Sequence, residues 1–192
     1  MATTQPIKDK AAIAALKKYY LIQHKNPRNY ALFVIGINTA LRIGDILTLK
    51  WNNVYSFIEE DFREHIIIKE HKTGKENIIA MNSNVTEALT LLFNNTKTPL
   101  PSQFIFTGRD NTKPLSRSQA FRIIKNACQE LQLPKNISCH SLRKTFGYHA
   151  WNAGTDPVIL MYIFNHSDFQ ITKRYLGIDQ DDKDNVFLHL NL

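Results

Sequence analysis

The sequence predicts a single α+β domain that is mainly helical and carries a small three-stranded antiparallel sheet. Apolar residues recur at helical spacing along most of the chain, and strand-type patterns are confined to residues 54–81. The chain has 192 residues, of which 43% are apolar and 21% charged, so it is long and apolar enough to bury one ordinary globular core.

The N-terminal part of the chain is predicted to form two helices. Residues 7–24 carry an imperfect apolar face, and Pro27 suits the first position of the next helix. This second helix includes the nearly continuous apolar run of residues 32–37, which is typical of a helix in the middle of a core. We expect it to present Arg42 just beyond its C-terminal end.

The next segment has the alternation and turn chemistry of strands. We expect strands at residues 54–58, 65–69 and 77–81, with an acidic turn after the first. A tight turn that carries Lys72 and Lys75 would join the second strand to the third. A lysine in such a turn is either a functional group at the hairpin tip or an ordinary solvated residue.

Two further amphipathic helices follow the strands. One covers residues 84–94, and the other begins at Ser116 or Ser118. The second would place Arg122 and Lys125 opposite its apolar face. These two cations could follow the phosphates of a nucleic acid, and a solvated polar face is an equally good interpretation.

The C-terminal third gathers chemically versatile side chains at helix ends. His140 and Arg143 are three residues apart, so they would project from one helical face, and two later turns would place His166 and Tyr175 beside them. The turns are predicted from a terminal glycine, an N-cap with proline, a left-handed cap and a capping box. These signals are Gly154, Asp156 with Pro157, Asn165, and Ser167 with Gln170.

These residue types together suit nucleophilic attack on a phosphodiester. Arginine binds phosphate through two parallel hydrogen bonds, and histidine gives or takes a proton near neutral pH. A tyrosine hydroxyl can act as a nucleophile if its surroundings help to remove its proton. Each residue taken alone is more often structural, and it is their joint spacing that favours a site.

Charge and cysteine content agree with an intracellular DNA-binding protein. Basic residues outnumber acidic ones by 24 to 17, and the resulting charge of +7 favours an anionic partner such as DNA. The chain has neither an 18-residue apolar run nor a signal-peptide pattern, so we expect a cytoplasmic protein without membrane segments. Cys128 and Cys139 are interpreted as free thiols rather than as a disulfide.

Three segments resemble motifs of the tyrosine recombinase, or phage integrase, family. His140 and Arg143, then a histidine 23 residues after the arginine and a tyrosine 9 residues later, are similar to its C-terminal signature. Residues 39–47 resemble the box around its first arginine, and residues 71–75 resemble the hairpin that carries its lysine. In this order the resemblance covers about residues 5–178.

The resemblance implies a fold like the catalytic core of DNA breaking-rejoining enzymes, and a site-specific recombinase or integrase reaction without any cofactor or metal. Tyr175 would attack a DNA phosphodiester and form a 3′-phosphotyrosine, while the two arginines hold the non-bridging oxygens. Lys72 would protonate the departing 5′-oxygen, His140 would assist proton transfer at the tyrosine, and His166 would bond the phosphate. The catalytic residues so implied are Arg42, Lys72, His140, Arg143, His166 and Tyr175.

Four further positions lie in or beside these motifs. Asp45 is interpreted as a carboxylate that orients Arg42 or caps local backbone, and the alternative is an ordinary acidic residue at a helix N-terminus. Lys75 would contact DNA or compete with Lys72 for its role. Ala40 and Asn165 stand where family members usually have glycine. Asparagine is the next best residue for a left-handed cap.

The resemblance also implies partners and domain limits. Double-stranded DNA and a tetramer of this chain on DNA are expected, with no membrane and no small-molecule substrate. Residues 1–192 would form one catalytic domain without an N-terminal core-binding domain, after a flexible lead-in at residues 1–6. The apolar tail at residues 179–192 would dock on its own chain or on a neighbouring protomer.

Two alternatives stay open: DNA relaxation like that of a type IB topoisomerase, and a catalytically idle DNA-binding accessory module.

Overall fold

Eight α-helices and two small β-hairpins make up the described part of the computed structural model. The described residues are 4–69, 74, 76–108, 110, 112–176, 184 and 187–189. The helices are α1 (Lys10–Lys18), α2 (Pro27–Asn38), α3 (Ile43–Leu47), α4 (Ser83–Asn94), α5 (Arg117–Glu130), α6 (Cys139–Asn152), α7 (Pro157–Ile163) and α8 (Phe169–Leu176). The strands are β1 (Tyr55–Ser56), β2 (Asp61–Phe62), β3 (His65–Lys69) and β4 (Glu76–Ala80). With 54% helix, the mainly helical α+β class is confirmed.

The strands differ from the predicted three-stranded sheet. In the described residues they form two separate two-stranded antiparallel sheets, β1 with β2 and β3 with β4. The predicted strand at residues 54–58 folds back on β2 through a tight turn in which Glu60 has φ +54°, so its pairing edge is already occupied. A side-chain hydrogen bond of 2.9 Å, from the Asn53 amide to the Ile67 carbonyl, links the two hairpins instead of a strand ladder.

Helix α2 crosses the centre of the core, as its apolar sequence predicts. Its buried residues contact two clusters, one shared with α4 and the β3 hairpin and the other with α1, α5 and α6. A Cβ atom at Gly36 would lie 2.6 Å from Cδ1 of Leu142, so glycine allows α2 and α6 to approach closely. This packing fixes the end of α2, and therefore Arg42, relative to α6.

The first helix begins later than predicted. Helix α1 starts at Lys10, where the Asp9 side chain accepts a 2.7 Å hydrogen bond from the Ala11 amide, and it continues into a π-helical turn at Tyr19–Gln23. Residues 4–8 precede the helix and lie along α6 instead. The Ile7 amide donates to the Thr145 hydroxyl at 2.9 Å, which takes this residue out of any helical pattern.

The C-terminal helices follow the predicted turn signals with one exception. The Asp156 side chain caps α7, and Asn165 has φ +50°, so both predictions are confirmed. The predicted capping box of Ser167 and Gln170 is wrong, because the Asp168 carboxylate, one residue later, accepts the Gln170 amide at 2.8 Å. An aspartate at the N-cap position outcompetes the serine beside it.

The apolar residues of α6, α7 and α8 form a third, smaller cluster, centred on Leu160, Phe164 and Leu176. This cluster holds the last helix, which carries Tyr175, against α6. Within the described residues, no helix combines the length and the apolar character that crossing a bilayer requires.

Candidate functional site

The ring of Tyr175 lies at the centre of a group of cationic and titratable side chains. The rings of His140 and His166 have their centroids 5.0 and 4.7 Å from its centroid. The guanidinium carbon of Arg143 lies 5.9 Å from it, and the ammonium nitrogen of Lys144 lies 5.8 Å from it. Helix α6 therefore presents three residues of one face to the tyrosine on α8, and the turn after α7 contributes the fourth.

Two main-chain carbonyls hold the guanidinium of Arg143 in place. Its Nη1 donates to the Ala40 carbonyl, and its Nη2 donates to the Phe164 carbonyl at 2.7 Å. The side chain is only 3% exposed, and its guanidinium carbon lies 4.9 Å from the centroid of the Phe164 ring. The arginine thus ties the turn before α3 to the end of α7, and the plane of its guanidinium is fixed by both.

The backbone at Ala40 explains the preference for glycine at this position. Ala40 is buried and has φ +55°, in the left-handed region where a Cβ atom is strained. This conformation turns its carbonyl toward Arg143. This backbone conformation costs about 1 kcal/mol for a non-glycine residue. In return, the Ala40 carbonyl accepts a hydrogen bond from the buried guanidinium.

Arg42 lies at the N-terminal boundary of α3, directly after this turn, and is half-buried. Its positive charge acts on His140 and is one cause of that residue's lowered pKa. The backbone carbonyl of Arg42 accepts from the Asp45 amide at 2.9 Å, and the Asp45 side chain is buried in the first turn of α3. Arg42 is therefore close enough to act on the group around Tyr175, and Asp45 lies buried in the helix that follows it.

His140 is placed to stay neutral at physiological pH. Partial desolvation, followed by the positive charges of Lys144, Arg143 and Arg42, lowers the pKa of its imidazole below the usual value. A histidine with a lowered pKa is protonated only in more acidic solution, so near pH 7 it can accept a proton.

A threonine on the last helix fixes the orientation of His166. The Nδ1 atom of His166 is 3.0 Å from the hydroxyl of Thr172, which is completely buried and lies three residues before Tyr175. Phe164 stacks on the other side of the imidazole, at 5.3 Å between centroids. Docking of the helix that carries the tyrosine therefore contributes to the orientation of the imidazole.

A basic cleft opens beside the site. It has a volume of about 520 Å³ and reaches from His140 to the exposed face of α5, where Arg117 and Arg122 line it. Lys125, one turn further along α5, lies by a neighbouring cleft and donates to the Lys135 carbonyl. Arg122 is thus placed beside the predicted site, and Lys125 extends the basic surface away from it.

Two predicted lysines lie outside the described residues, and the two cysteines are described. Lys72 and Lys75 lie outside the described residues, although Gly74 between them is described and has φ +67°. Cys128 and Cys139 are free thiols, as predicted. Burial raises the pKa of Cys139 to about 11, so this neighbour of His140 stays a thiol at neutral pH and is a poor nucleophile.

Sequence reasoning missed two members of the site, Lys144 and Thr172. Lys144 is four residues after His140, and Thr172 is three residues before Tyr175, so helical spacing alone could have indicated both. The whole arrangement combines several cations, a neutral imidazole and a phenol. It is suited to bind an anionic group and to attack it with the phenol oxygen.

Comparison with known proteins identifies a matching family model, similar sequences and similar folds. A model of the phage integrase family matches residues 8–181. The "probable integrase/recombinase YoeC" of Bacillus subtilis (strain 168) is 38% identical over 181 residues, which are 94% of this chain and 93% of that protein. A crystal structure of XerA recombinase superposes on the fold with a TM-score of 0.77 at 18% identity, over 100% of this chain and 66% of the other. The Tn1549 transposon integrase, in complex with a circular intermediate DNA, gives a TM-score of 0.74 at 22% identity, over 99% of this chain and 67% of the other.

The length that is shared differs among these proteins. The chain spans nearly all of the Bacillus subtilis protein but about half the length of other curated relatives, such as 54% of a tyrosine recombinase XerD from Halalkalibacterium halodurans, which is 22% identical over 85% of this chain. The similarity to those relatives is therefore confined to one part of each of them.

Proposed function

Since this chain belongs to the phage integrase family, we propose that it is a site-specific recombinase that cleaves and rejoins DNA through a 3′-phosphotyrosine intermediate. Its substrate would be double-stranded DNA. The phosphotyrosine keeps the energy of the broken bond, so rejoining needs neither ATP nor a metal ion. The observation that carries the proposal is the gathering of His140, Arg143 and His166 around the ring of Tyr175.

In the proposed reaction the phenol oxygen of Tyr175 forms a bond to phosphorus, and the bond from phosphorus to the 5′-oxygen breaks. The electron pair of the broken bond stays on the 5′-oxygen, which takes a proton from Lys72, outside the described residues. The proton of the phenol passes to His140, whose lowered pKa keeps its imidazole neutral near pH 7. Attack by a 5′-hydroxyl of the same or another strand reverses these steps.

The two arginines would bind the non-bridging oxygens, where negative charge grows in the transition state. The carbonyls of Ala40 and Phe164 fix the Arg143 guanidinium before substrate arrives, so little reorganisation accompanies the reaction. Arg42 would approach from the turn before α3, with buried Asp45 supporting it. Donors placed in this way commonly contribute about 3–4 kcal/mol each.

The test of this function is the trapping of a covalent protein–DNA complex. The substrate is a pool of duplexes with randomised flanks, each nicked close to a central cleavage position, so that the cut fragment diffuses away and rejoining fails. In the presence of EDTA and without ATP, we expect a product that survives denaturing electrophoresis, with the DNA attached through its 3′-phosphate to the peptide containing Tyr175. Binding of the pool without any covalent product would contradict the proposal and favour an idle DNA-binding module.

Recombination and relaxation are separated by a second assay. A plasmid with two copies of a trapped sequence should yield deleted or inverted products. Loss of supercoils without such products would instead assign the chain a topoisomerase-like activity.

Replacing Thr172 with valine should slow formation of the covalent product about fivefold, because one hydrogen bond that orients an imidazole contributes about 1 kcal/mol. A threonine hydroxyl that donates to Nδ1 leaves the proton of His166 on Nε2, where it can bond the phosphate. Single-turnover rates on a trapped duplex measure the effect. Thr90→Val removes a threonine hydroxyl on α4 and serves as the control; equal rates for both variants would refute the role of Thr172.

The basic side of α5 is proposed to contact the duplex next to the cleaved bond. Arg122 is exposed and shares the cleft with His140, and Lys125 continues the basic surface. Lys75 is proposed as a further DNA contact from the hairpin turn, outside the described residues. Because DNA is the substrate, we propose that the protein acts in the cytoplasm of a bacterial cell.

Self-association on DNA is proposed to use the C-terminal tail. Phe187 and Leu188 are 79% and 73% exposed, which is unfavourable for large apolar residues unless another surface covers them. Leu188→Asp should abolish higher-order complexes on DNA and leave single-protomer complexes intact, as measured by analytical ultracentrifugation. Leu100→Asp, in an exposed loop, is the control. Unchanged assembly of the Leu188 variant would mean that the tail packs on its own chain or takes no part.

A further inference from the structure

Lys144 is a buried lysine that has no role in the reaction proposed above. It follows Arg143 on α6 and is 7% exposed, although lysine is rarely buried without a charged partner. Its ammonium nitrogen donates to the Thr4 carbonyl and lies 5.8 Å from the centroid of the Tyr175 ring. Among the described residues, no carboxylate pairs with it, so its charge is not cancelled locally.

The charge of Lys144 acts on the residues that surround the nucleophile. It is the foremost charged cause, after desolvation, of the lowered pKa of His140. Burial also lowers the pKa of Lys144 itself. Its ammonium group is a buried positive charge beside the Tyr175 ring, and it would stabilise nearby negative charge more strongly than it could in water, because opposite charges attract more strongly where water is excluded.

The N-terminal segment keeps Lys144 in this place. Residues 4–7 cross α6, with the Ile7 amide bonded to the Thr145 hydroxyl at 2.9 Å and the Ile7 carbonyl 3.0 Å from Nε2 of His149. The Thr4 carbonyl at the start of this segment accepts from Lys144. Three positions of α6 thus anchor the segment, and the first of them also reaches the tyrosine.

We propose that Lys144 is a positioning residue of this site: its buried ammonium group, held by the Thr4 carbonyl 5.8 Å from the centroid of the Tyr175 ring, supplies a fixed positive charge that stabilises the negative charge developing between the attacking oxygen and the phosphate. The inference rests on the proposed function of Tyr175. It assigns to Lys144 a part distinct from that of Lys72, because Lys144 acts on the attacking oxygen and not on the departing one.

The experiment compares Lys144→Met, which keeps an apolar stem without the charge, with Lys144→Arg, which keeps the charge. Single-turnover formation of the covalent product on a trapped duplex is measured from pH 6 to pH 10. We expect Lys144→Met to be about tenfold slower at neutral pH, and the acidic limb of its pH profile to move to higher pH, because His140 loses a repelling cation and is protonated more easily. Lys144→Arg should stay within about threefold of the wild type. Lys8→Met, which removes a lysine 5.1 Å from the Tyr148 ring, is the matched control.

Two results would overturn the inference. One is a Lys144→Met rate within twofold of the wild type at every pH; the other is an equal loss for the Met and Arg variants with no change in the pH profile, which would mean a purely structural role. Circular dichroism verifies folding, and Lys144→Gln replaces the Met variant if that variant does not fold.

A second measurement does not depend on activity. If the wild type forms no covalent product, the proposed function fails. The effect of the Lys144 charge on its surroundings can then still be tested by measuring the pKa of His140 in an NMR titration. Loss of the charge in Lys144→Met should raise the pKa of His140, because a repelling cation is removed. An unchanged pKa of His140 would refute the placement of the charge.

Discussion

Tyr175→Phe should reduce the covalent protein–DNA product below detection while leaving the fold and DNA binding intact. The substitution removes the only atom that can form the phosphotyrosine bond. It should not unfold the protein, because no described residue hydrogen-bonds the phenol hydroxyl, and the ring that packs against Phe164 and the two histidines is retained. The change in the free energy of unfolding should therefore be about 0.5 kcal/mol or less.

The measurement is denaturing electrophoresis of the trapped complex, together with gel-shift titration of the same duplex. Tyr162→Phe is the control, because that tyrosine is 76% exposed on α7 and contacts none of the groups around Tyr175. A covalent product that persists in Tyr175→Phe would assign the attack to another residue and remove the basis of the proposed mechanism.

Arg143→Lys should slow formation of the covalent product by about 10² to 10³, the effect of losing one well-placed transition-state donor. Lysine keeps the positive charge, but a single ammonium group cannot replace the planar fork that bonds the Ala40 and Phe164 carbonyls together. A loss of this size in a variant that retains the charge would show that geometry, and not charge alone, matters at this position.

Arg143→Ala should add a loss of stability to the loss of rate. Two buried carbonyls would lose their donor, and each such loss costs about 1–3 kcal/mol. Thermal unfolding followed by circular dichroism measures this part. Arg63→Ala, which removes an arginine bonded to the Asn52 carbonyl near the hairpins, is expected to leave both rate and stability nearly unchanged. If the Arg143→Ala variant unfolds at the same temperature as the wild type, Arg143 does not stabilise the contact between the turn before α3 and the end of α7.

The site depends on a small part of the core. Helix α8 is held by Thr172, Leu176 and the contact of Tyr175 with Phe164, in a cluster much smaller than the two around α2. Gly147 on α6 leaves room for the ring of Phe164, against which Tyr175 packs, because a Cβ atom at Gly147 would lie 2.7 Å from Cζ of Phe164. Elements with few buried contacts open most easily, so we expect α8, which carries Tyr175, to detach more readily than the helices packed around α2.

Local signals in the sequence determined much of the architecture. Apolar periodicity predicted the helices and the central position of α2, and caps such as Asp156 and Asn165 are formed by neighbouring residues alone. The spacing of His140 and Arg143 predicted that they share one face of α6, because residues three apart on a helix lie side by side. The turn signals after α6 and α7 predicted that His166 and Tyr175 return to that face.

Only the tertiary structure decided the contacts that join distant parts of the chain. The first predicted strand pairs with residues 61–62 across a tight turn, which its own sequence does not specify. The two carbonyls that bind Arg143 belong to residues 103 and 21 positions away in the sequence. Helical spacing places Lys144 near His140, but its bond to the Thr4 carbonyl and its position beside the Tyr175 ring depend on how the N-terminal segment and α8 pack on α6. Periodicity records which face of an element is apolar, whereas such contacts depend on how the elements pack, and that is a property of the whole chain.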